Sequence, residues 1–96
     1  MTSKQRAYLK GLAMKIDAIL QVGKGGLTPE LCISVDEALE KRELIKLSVL
    51  KNCFDDPKEI AQIMAERTRS QVVQVIGKKI ILYRPAKKDP KIQLPR

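Results

Sequence analysis

The sequence predicts an α/β (α+β) two-layer sandwich in which helices pack on a small mixed sheet, in the order α-β-α-β-α-β-β. Two observations carry this prediction. Apolar residues alternate between helical and strand spacing along the chain, and two strand–helix–strand units precede a terminal hairpin. Such units imply parallel crossovers, whereas a hairpin adds an antiparallel strand. We therefore expect a four-stranded mixed sheet within one domain that spans all 96 residues.

The three predicted helices cover residues 3–16, 29–42 and 57–68. Each begins at or directly after a side chain that can accept hydrogen bonds from the first helical N–H groups. These candidate caps are Ser3, Thr28, and either Asp55 or Asp56. Prolines at positions 29 and 57 suit the first helical position, where the missing N–H does no harm.

The predicted strands cover residues 18–22, 43–51, 71–76 and 79–84. Ile45, Leu47 and Val49 lie on one face of the second strand, as alternation requires. Gly77-Lys78 separates the last two strands and is typical of a type II′ hairpin turn. Residues 85–96 form a basic C-terminal tail, whose apolar residues Ile92 and Leu94 are free to dock on the domain.

A glycine-rich loop, Gly23-Lys24-Gly25-Gly26, lies between the first predicted strand and the second helix. Glycines let a backbone approach a phosphate closely, because they have no Cβ atom. The helix N-terminus that follows adds partial positive charge. A loop of this kind is often only a tight turn, but Lys24 at its centre and the helix start after it favour anion binding.

The positive charge of the chain is concentrated at its two ends. Residues 1–26 carry five Lys or Arg against one acid, and residues 67–96 carry nine against one. Residues 27–66 carry nine acids against five Lys or Arg, so the net charge of +8 comes from the end segments. If these segments meet in space, they form one positive surface, which is typical of a nucleic-acid binder. The alternative is a basic surface that only confers solubility.

Metal chemistry and most enzymology are disfavoured. The chain has no histidine, and its two cysteines, Cys32 and Cys53, lie in no CxxC pattern. The glycine loop does not fit the G-x-x-x-x-G-K-[ST] motif of ATPases, and Thr28 stands where a dinucleotide fingerprint needs glycine. We expect no enzymatic activity, cofactor, metal or small-molecule substrate. No apolar run is long enough to span a bilayer and no signal peptide is evident, so we expect a cytoplasmic protein without membrane association.

Base stacking as the main binding force is also disfavoured, since a sheet-surface RNA platform needs two or three exposed rings together. The chain has three aromatic residues, at scattered positions: Tyr8, Phe54 and Tyr83. Binding should instead rest on the loop, the helix dipole and contacts from Lys and Arg to the nucleic-acid backbone.

The sequence resembles the YhbY family, the stand-alone bacterial form of the CRM domain. The resemblance covers nearly the whole chain and rests on motifs at residues 10–13, 22–28, 38–40, 43–46, 73–78, 82–85 and 94–96. It implies a KH-like fold, similar to the C-terminal domain of translation initiation factor 3, with an extra N-terminal helix. It also implies RNA binding through a GxxG loop, here Gly23-Lys24-Gly25-Gly26, and a role on precursors of the large ribosomal subunit.

We therefore expect a monomer whose main partner is ribosomal RNA. The expected RNA surface combines the glycine loop with basic residues from the first helix, the end of the third helix and the hairpin: Lys4, Arg6, Lys10, Arg67, Arg69, Lys78, Lys79 and Arg84. Any one of these is equally well explained as a solvated charge, and Arg67 and Arg84 also as partners in structural pairs. A different function, docking on a ribosomal protein or assembly factor through an apolar groove or the acidic second helix, remains open.

Overall fold

In the computed structural model, which describes residues 1–95, the chain forms three helices and four strands in the predicted order. The helices are α1 (Ser3–Ala13), α2 (Pro29–Arg42) and α3 (Pro57–Thr68). The strands are β1 (Leu20–Val22), β2 (Leu44–Val49), β3 (Gln71–Ile76) and β4 (Lys79–Tyr83). Arg96, which ends the predicted tail, lies outside the described residues.

The four strands form one mixed sheet in the order β1-β2-β4-β3. β1 pairs in parallel with β2 across the α2 crossover, with Leu20 opposite Leu47. β4 lies between β2 and β3 and pairs antiparallel with both. The two strands of the second strand–helix–strand unit, β2 and β3, are therefore not adjacent in the sheet. The turn between β3 and β4 has a positive φ of 55° at Gly77 and not at Lys78, as a type II′ turn requires. The predicted mixed sheet is confirmed.

The helices divide between the two faces of the sheet. α2 and α3 cover one face over the larger core, to which β2 contributes Ile45, Leu47 and Val49. α1 packs across part of the opposite face, where Leu9 and Ala13 meet a second core. The end of the chain joins this second core through Ile92 and Leu94, as expected for a docking tail. The α2/α3 layer and the sheet make the predicted sandwich, and α1 lies on its otherwise open face.

The caps explain where the helices begin, and one of them differs from the sequence prediction. Thr2, not Ser3, caps α1: its hydroxyl accepts from the N–H of Gln5, whose side chain accepts from the N–H of Thr2 in return. This reciprocal pair is a capping box. Thr28 caps α2 as predicted. Asp56 is the cap of α3, which settles the choice between the two aspartates.

Glu43 was expected to start the second strand, but it ends α2 and anchors the tail. It is buried, with a backbone φ of 66°. Its carboxylate accepts hydrogen bonds from the backbone N–H groups of Ala86, Lys91 and Ile92, at 2.9, 2.6 and 3.0 Å. Burial alone would raise the pKa of Glu43, but these donors and the charge of Lys91 outweigh it and hold the pKa below its ordinary value.

Candidate nucleic-acid interface

The glycine loop forms a tight turn with Lys24 at its tip. The N–H of Gly26 donates to the carbonyl of Gly23 at 2.9 Å, which leaves Lys24 and Gly25 exposed between them. The N–H groups of Lys24 and Gly25 make no backbone hydrogen bond within residues 1–95. Unpaired N–H groups on an exposed turn can donate to an anion, so the loop can hold a phosphate.

Gly26 occupies a position that other residues fill only with strain. Its φ is 64°, in the left-handed region. A Cβ atom placed there would lie 2.7 Å from the Oδ2 atom of Asp55. The glycine therefore permits both the turn and a close contact between the loop and the segment that precedes α3.

Three turns come together at the end of the sheet that carries the glycine loop. The N–H of Leu50 donates to the carbonyl of Val22 at 2.8 Å, which brings the turn after β2 beside the loop. The N–H of Val49 donates to the carbonyl of Lys78 at 2.7 Å, which adds the β3–β4 hairpin turn. α2 and α3 also begin at this end, directly after the glycine loop and the turn that follows β2. Two helix N-termini and three short turns thus share one end of the domain, with partial positive charge from both helices.

Lysines from α1, β2 and β4 meet on the open face of the sheet. They line a shallow cavity of about 110 Å³ together with small, apolar and amide side chains. The full lining is Lys10, Ala13, Met14, Lys46, Gln74, Ile76, Lys79 and Ile81. The Nζ atom of Lys79 also donates to the Oγ atom of Ser48 at 3.0 Å. Lys10 and Lys79 were predicted site residues, and the structure brings them together.

Two lysines of this region escaped the sequence-based list. Lys46 lies on the face of β2 opposite Ile45 and Leu47, and strand alternation already placed it there. Lys51 is exposed in the turn that follows β2, on the same end as the glycine loop. Both lie in the acidic segment 27–66, whose negative net charge gave no indication of a basic surface. We call Lys10, Lys24, Lys46, Lys51, Lys78 and Lys79 the lysine surface.

Arg67 and Arg69 lie away from the glycine loop. They stand at the C-terminal end of α3, whose N-terminus is at the loop end. Twelve helical residues separate the two ends by about 18 Å, at 1.5 Å per residue. Arg69 forms the left-handed C-cap of the helix, with φ 56° and ψ 39°. The third-helix arginines are thus not brought together with the loop.

The arginine in α1 bonds to the edge of the sheet. The Nη1 atom of Arg6 donates to the carbonyls of Val72 and Val73, at 2.7 and 2.8 Å. These carbonyls lie where the pairing of β3 with β4 shifts register between Val72 and Gln74. Arg6 therefore satisfies acceptors that an irregular edge strand leaves open. Lys4 is exposed on the first turn of the same helix.

Arg84 ties three parts of the fold together. Its Nη1 atom donates to the Oδ1 atom of Asp36 at 2.5 Å and to the carbonyl of Thr68 at 2.7 Å. Its Nη2 atom donates to the carbonyl of Asp36 and lies 3.5 Å from the Oε1 atom of Glu40. The side chain is 13% exposed. These contacts match the structural pairing considered as the alternative for this residue.

Other chemistry finds little support in the described part of the chain. No group of three or more His, Cys, Asp or Glu residues within residues 1–95 is arranged to hold a metal ion. Cys32 and Cys53 are free thiols that pack in or against the larger core. None of the described helices has the length and apolar character needed to cross a membrane.

The fold and this surface define a small α/β domain with an exposed glycine turn at one end of its sheet and lysines from several elements around it. The chain belongs to the CRS1/YhbY (CRM) domain family, whose model matches residues 1–84. It is 44% identical over 95 residues to the probable RNA-binding protein YqeI of Bacillus subtilis, and the match covers 99% of each chain. It is 35% identical over 96 residues to an RNA-binding protein of Haemophilus influenzae, covering 100% of this chain and 96% of that one.

A solved structure shows the same fold. The solution structure of the hypothetical protein SAV1595 from Staphylococcus aureus, presented as a candidate RNA binder, superimposes with a TM-score of 0.83. The two chains are 50% identical, and 99% of each is covered. The family assignment made from sequence motifs is confirmed.

Proposed function

We propose that this protein binds RNA by its sugar–phosphate backbone, with the glycine loop as the clamp and the lysine surface as the electrostatic track. The observation that carries the proposal is the convergence, at one end of the sheet, of the loop, two helix N-termini and the turns that hold Lys51 and Lys78. Relatives that match the chain over nearly its full length are named RNA-binding proteins.

The loop supplies the short-range part of the binding. The exposed N–H groups of Lys24 and Gly25 donate to phosphate oxygens, and the ammonium of Lys24 neutralises the charge. The start of α2 adds its partial positive charge directly behind the turn. These contacts read phosphate position and not base identity, so shape decides more than sequence.

The lysine surface supplies the long-range part. Each lysine that meets a phosphate releases condensed counterions, which makes the affinity fall steeply with salt. On the open sheet face, Lys10, Lys46 and Lys79 line one cavity and offer three positive charges close together. Arg6 and Arg84 are assigned structural roles in this proposal, because their guanidinium groups already bond within the chain. Arg67 and Arg69 are left out because of their distance from the loop.

We further propose that the RNA is ribosomal RNA in precursors of the large subunit, bound in the cytoplasm by a monomer during assembly. The support for this step is the family resemblance, and the role is one of binding without catalysis. The alternative of docking on a protein through the acidic face of α2 draws less support, since Asp36 and Glu40 are partly neutralised by Arg84.

The test is crosslinking of the protein to RNA in cells, followed by sequencing of the contacts and by gradient sedimentation of ribosomal particles. We expect contacts in large-subunit ribosomal RNA and co-sedimentation with its precursors. Lys24→Glu should abolish both, whereas Arg67→Glu, an exposed change at the far end of α3, should preserve them. Equal association of the parent chain and a folded Lys24→Glu variant would refute the clamp. Association that survives nuclease treatment would favour a protein partner instead.

A further inference from the structure

Phe54 is the most exposed large hydrophobic residue among those the structure describes, with 93% of its surface open. Its neighbour Cys53 is buried in the larger core at 8% exposure, so the backbone turns Cys53 inward and the ring outward. Of the other aromatic residues, Tyr83 is buried and Tyr8 is 43% exposed on α1. A ring this exposed contributes almost nothing to the core.

Phe54 lies in the turn that runs beside the glycine loop. The turn after β2 runs along the loop from Leu50 to Asp55. The Cδ1 atom of Leu50 lies 3.8 Å from where a Cβ atom on Gly23 would stand. The Oδ2 atom of Asp55 lies 2.7 Å from where one on Gly26 would stand. Phe54 directly precedes Asp55, and adjacent Cα atoms are about 3.8 Å apart. The exposed lysines at positions 24 and 51 belong to the same two segments.

We propose that Phe54 stacks on one unpaired nucleobase of the RNA whose backbone the glycine loop holds. The inference rests on the proposed function and deepens it, since it makes unpaired RNA the preferred ligand. Stacking on an aromatic ring is tolerant of base identity because every base has a π-face. A base stacked in a duplex cannot meet the ring without first being unstacked, so the contact selects single-stranded segments.

This arrangement differs from a sheet-surface platform. A platform uses two or three rings together on strands, whereas here one ring projects from a loop next to a phosphate clamp. The phosphate contacts give affinity for any RNA backbone, and the ring adds affinity only where a base is free. One aromatic residue in the right place is thus enough for a preference between unpaired and paired RNA.

The experiment compares the full-length parent and a Phe54→Ala variant on two probes, a short oligoadenylate and a fully paired RNA duplex. Loss of one stacked base should weaken oligoadenylate binding about 5- to 150-fold and leave duplex binding unchanged. The dependence of affinity on salt should keep its slope, because no phosphate contact is lost. Phe54→Tyr should retain the parent affinity and Phe54→Leu should not, since leucine keeps apolar area without a π-face.

A tryptophan variant reports the contact directly, because the chain contains no tryptophan. Phe54→Trp should bind oligoadenylate as the parent does, with quenching of its fluorescence on stacking. Ile63→Trp is the matched control, since Ile63 is 42% exposed and lies six residues, or about 9 Å, along α3 from Pro57. Its fluorescence should not respond to the RNA.

Three results would overturn the inference. Equal oligoadenylate affinity of the parent and a folded Phe54→Ala variant would exclude stacking while leaving the backbone clamp intact. An equal loss on both probes would show that the ring supports the loop and does not read a base. Failure of the parent chain to bind either probe would overturn the clamp and the stacking contact together. Thermal unfolding of each variant verifies that the exposed substitution leaves the fold unchanged.

Discussion

Replacing Glu43 with glutamine should loosen the C-terminal tail from the domain. The carboxylate holds the tail by three backbone N–H groups, two of them on one oxygen. A glutamine can turn its carbonyl oxygen toward Lys91 and Ile92, but its NH₂ group then faces the N–H of Ala86. One hydrogen bond is lost outright, and the other two lose their charge assistance.

The size of this effect follows from the bonds that change. Removing one partner of a buried hydrogen bond costs about 1–3 kcal/mol, and bonds to charged groups lie toward the upper end. The smaller desolvation cost of an amide offsets part of the weakening of the other two bonds. We therefore expect Glu43→Gln to lower stability by about 1–3 kcal/mol, or a Tm loss of about 4–24 °C for a domain of this size.

The assay is thermal unfolding as a function of pH, with amide hydrogen exchange at residues 91 and 92 as the local readout. The pKa of Glu43 is lowered in the folded chain from 4.5. Its stabilising contribution is therefore complete above that ordinary value and is lost as the pH falls through the folded value. The parent and Glu43→Gln should differ most near neutral pH, and the gap should close on acidification. Equal stability at neutral pH, or a gap that persists in acid, would refute the anchoring role.

Three further predictions concern the loop and the arginines. Gly26→Ala should lower the free energy of unfolding in urea by about 1–2 kcal/mol, because the backbone φ at this position is left-handed. Gly25→Ala is the control and should cost less, since the φ of Gly25 is not positive. Equal losses for the two variants would contradict backbone strain at position 26. Arg84→Met should lower stability by about 1–3 kcal/mol, because it removes the hydrogen bonds to Asp36 and Thr68. Arg84→Lys should restore only part of this loss. An unchanged Tm for Arg84→Met would exclude a structural role for Arg84. Arg69→Gly should raise the Tm slightly by relieving a left-handed cap and leave RNA affinity unchanged; a marked loss of affinity would return Arg69 to the RNA surface.

Sequence patterns predicted the architecture well because each element carried strong local signals. Thr28 and Asp56 cap their helices where the sequence placed caps, and alternation in β2 assigned the correct residues to the larger core. The errors lie at boundaries. α1 ends at Ala13 and not at residue 16, since the N–H groups of Lys15 and Ile16 donate to carbonyls three residues back and not four. Glu43 is part of no periodic pattern, and its role comes from a tail more than forty residues away in sequence.

The sequence predicted the tight turn of the candidate site, whereas the positions of the basic residues around it follow from the fold. Gly23 to Gly26 form the tight turn that the local sequence indicates. The distribution of basic residues among segments could not show which ones share a face, because that depends on strand order and helix direction. Lys46 lies in an acidic segment yet faces the lysine surface. Arg84 lies in a basic segment yet bonds within the fold.

We propose that RNA phosphates are bound by the loop end of the domain. The most direct measurement is the slope of log affinity against log salt for a single-stranded RNA, compared between the parent, Lys24→Gln and Arg67→Gln. A phosphate contact contributes about 0.7 to this slope for single strands. We predict that Lys24→Gln lowers both the affinity and the slope by about one contact, and that Arg67→Gln changes neither. An unchanged slope for Lys24→Gln, together with a reduced slope for Arg67→Gln, would place the RNA at the opposite end of the domain and contradict the account.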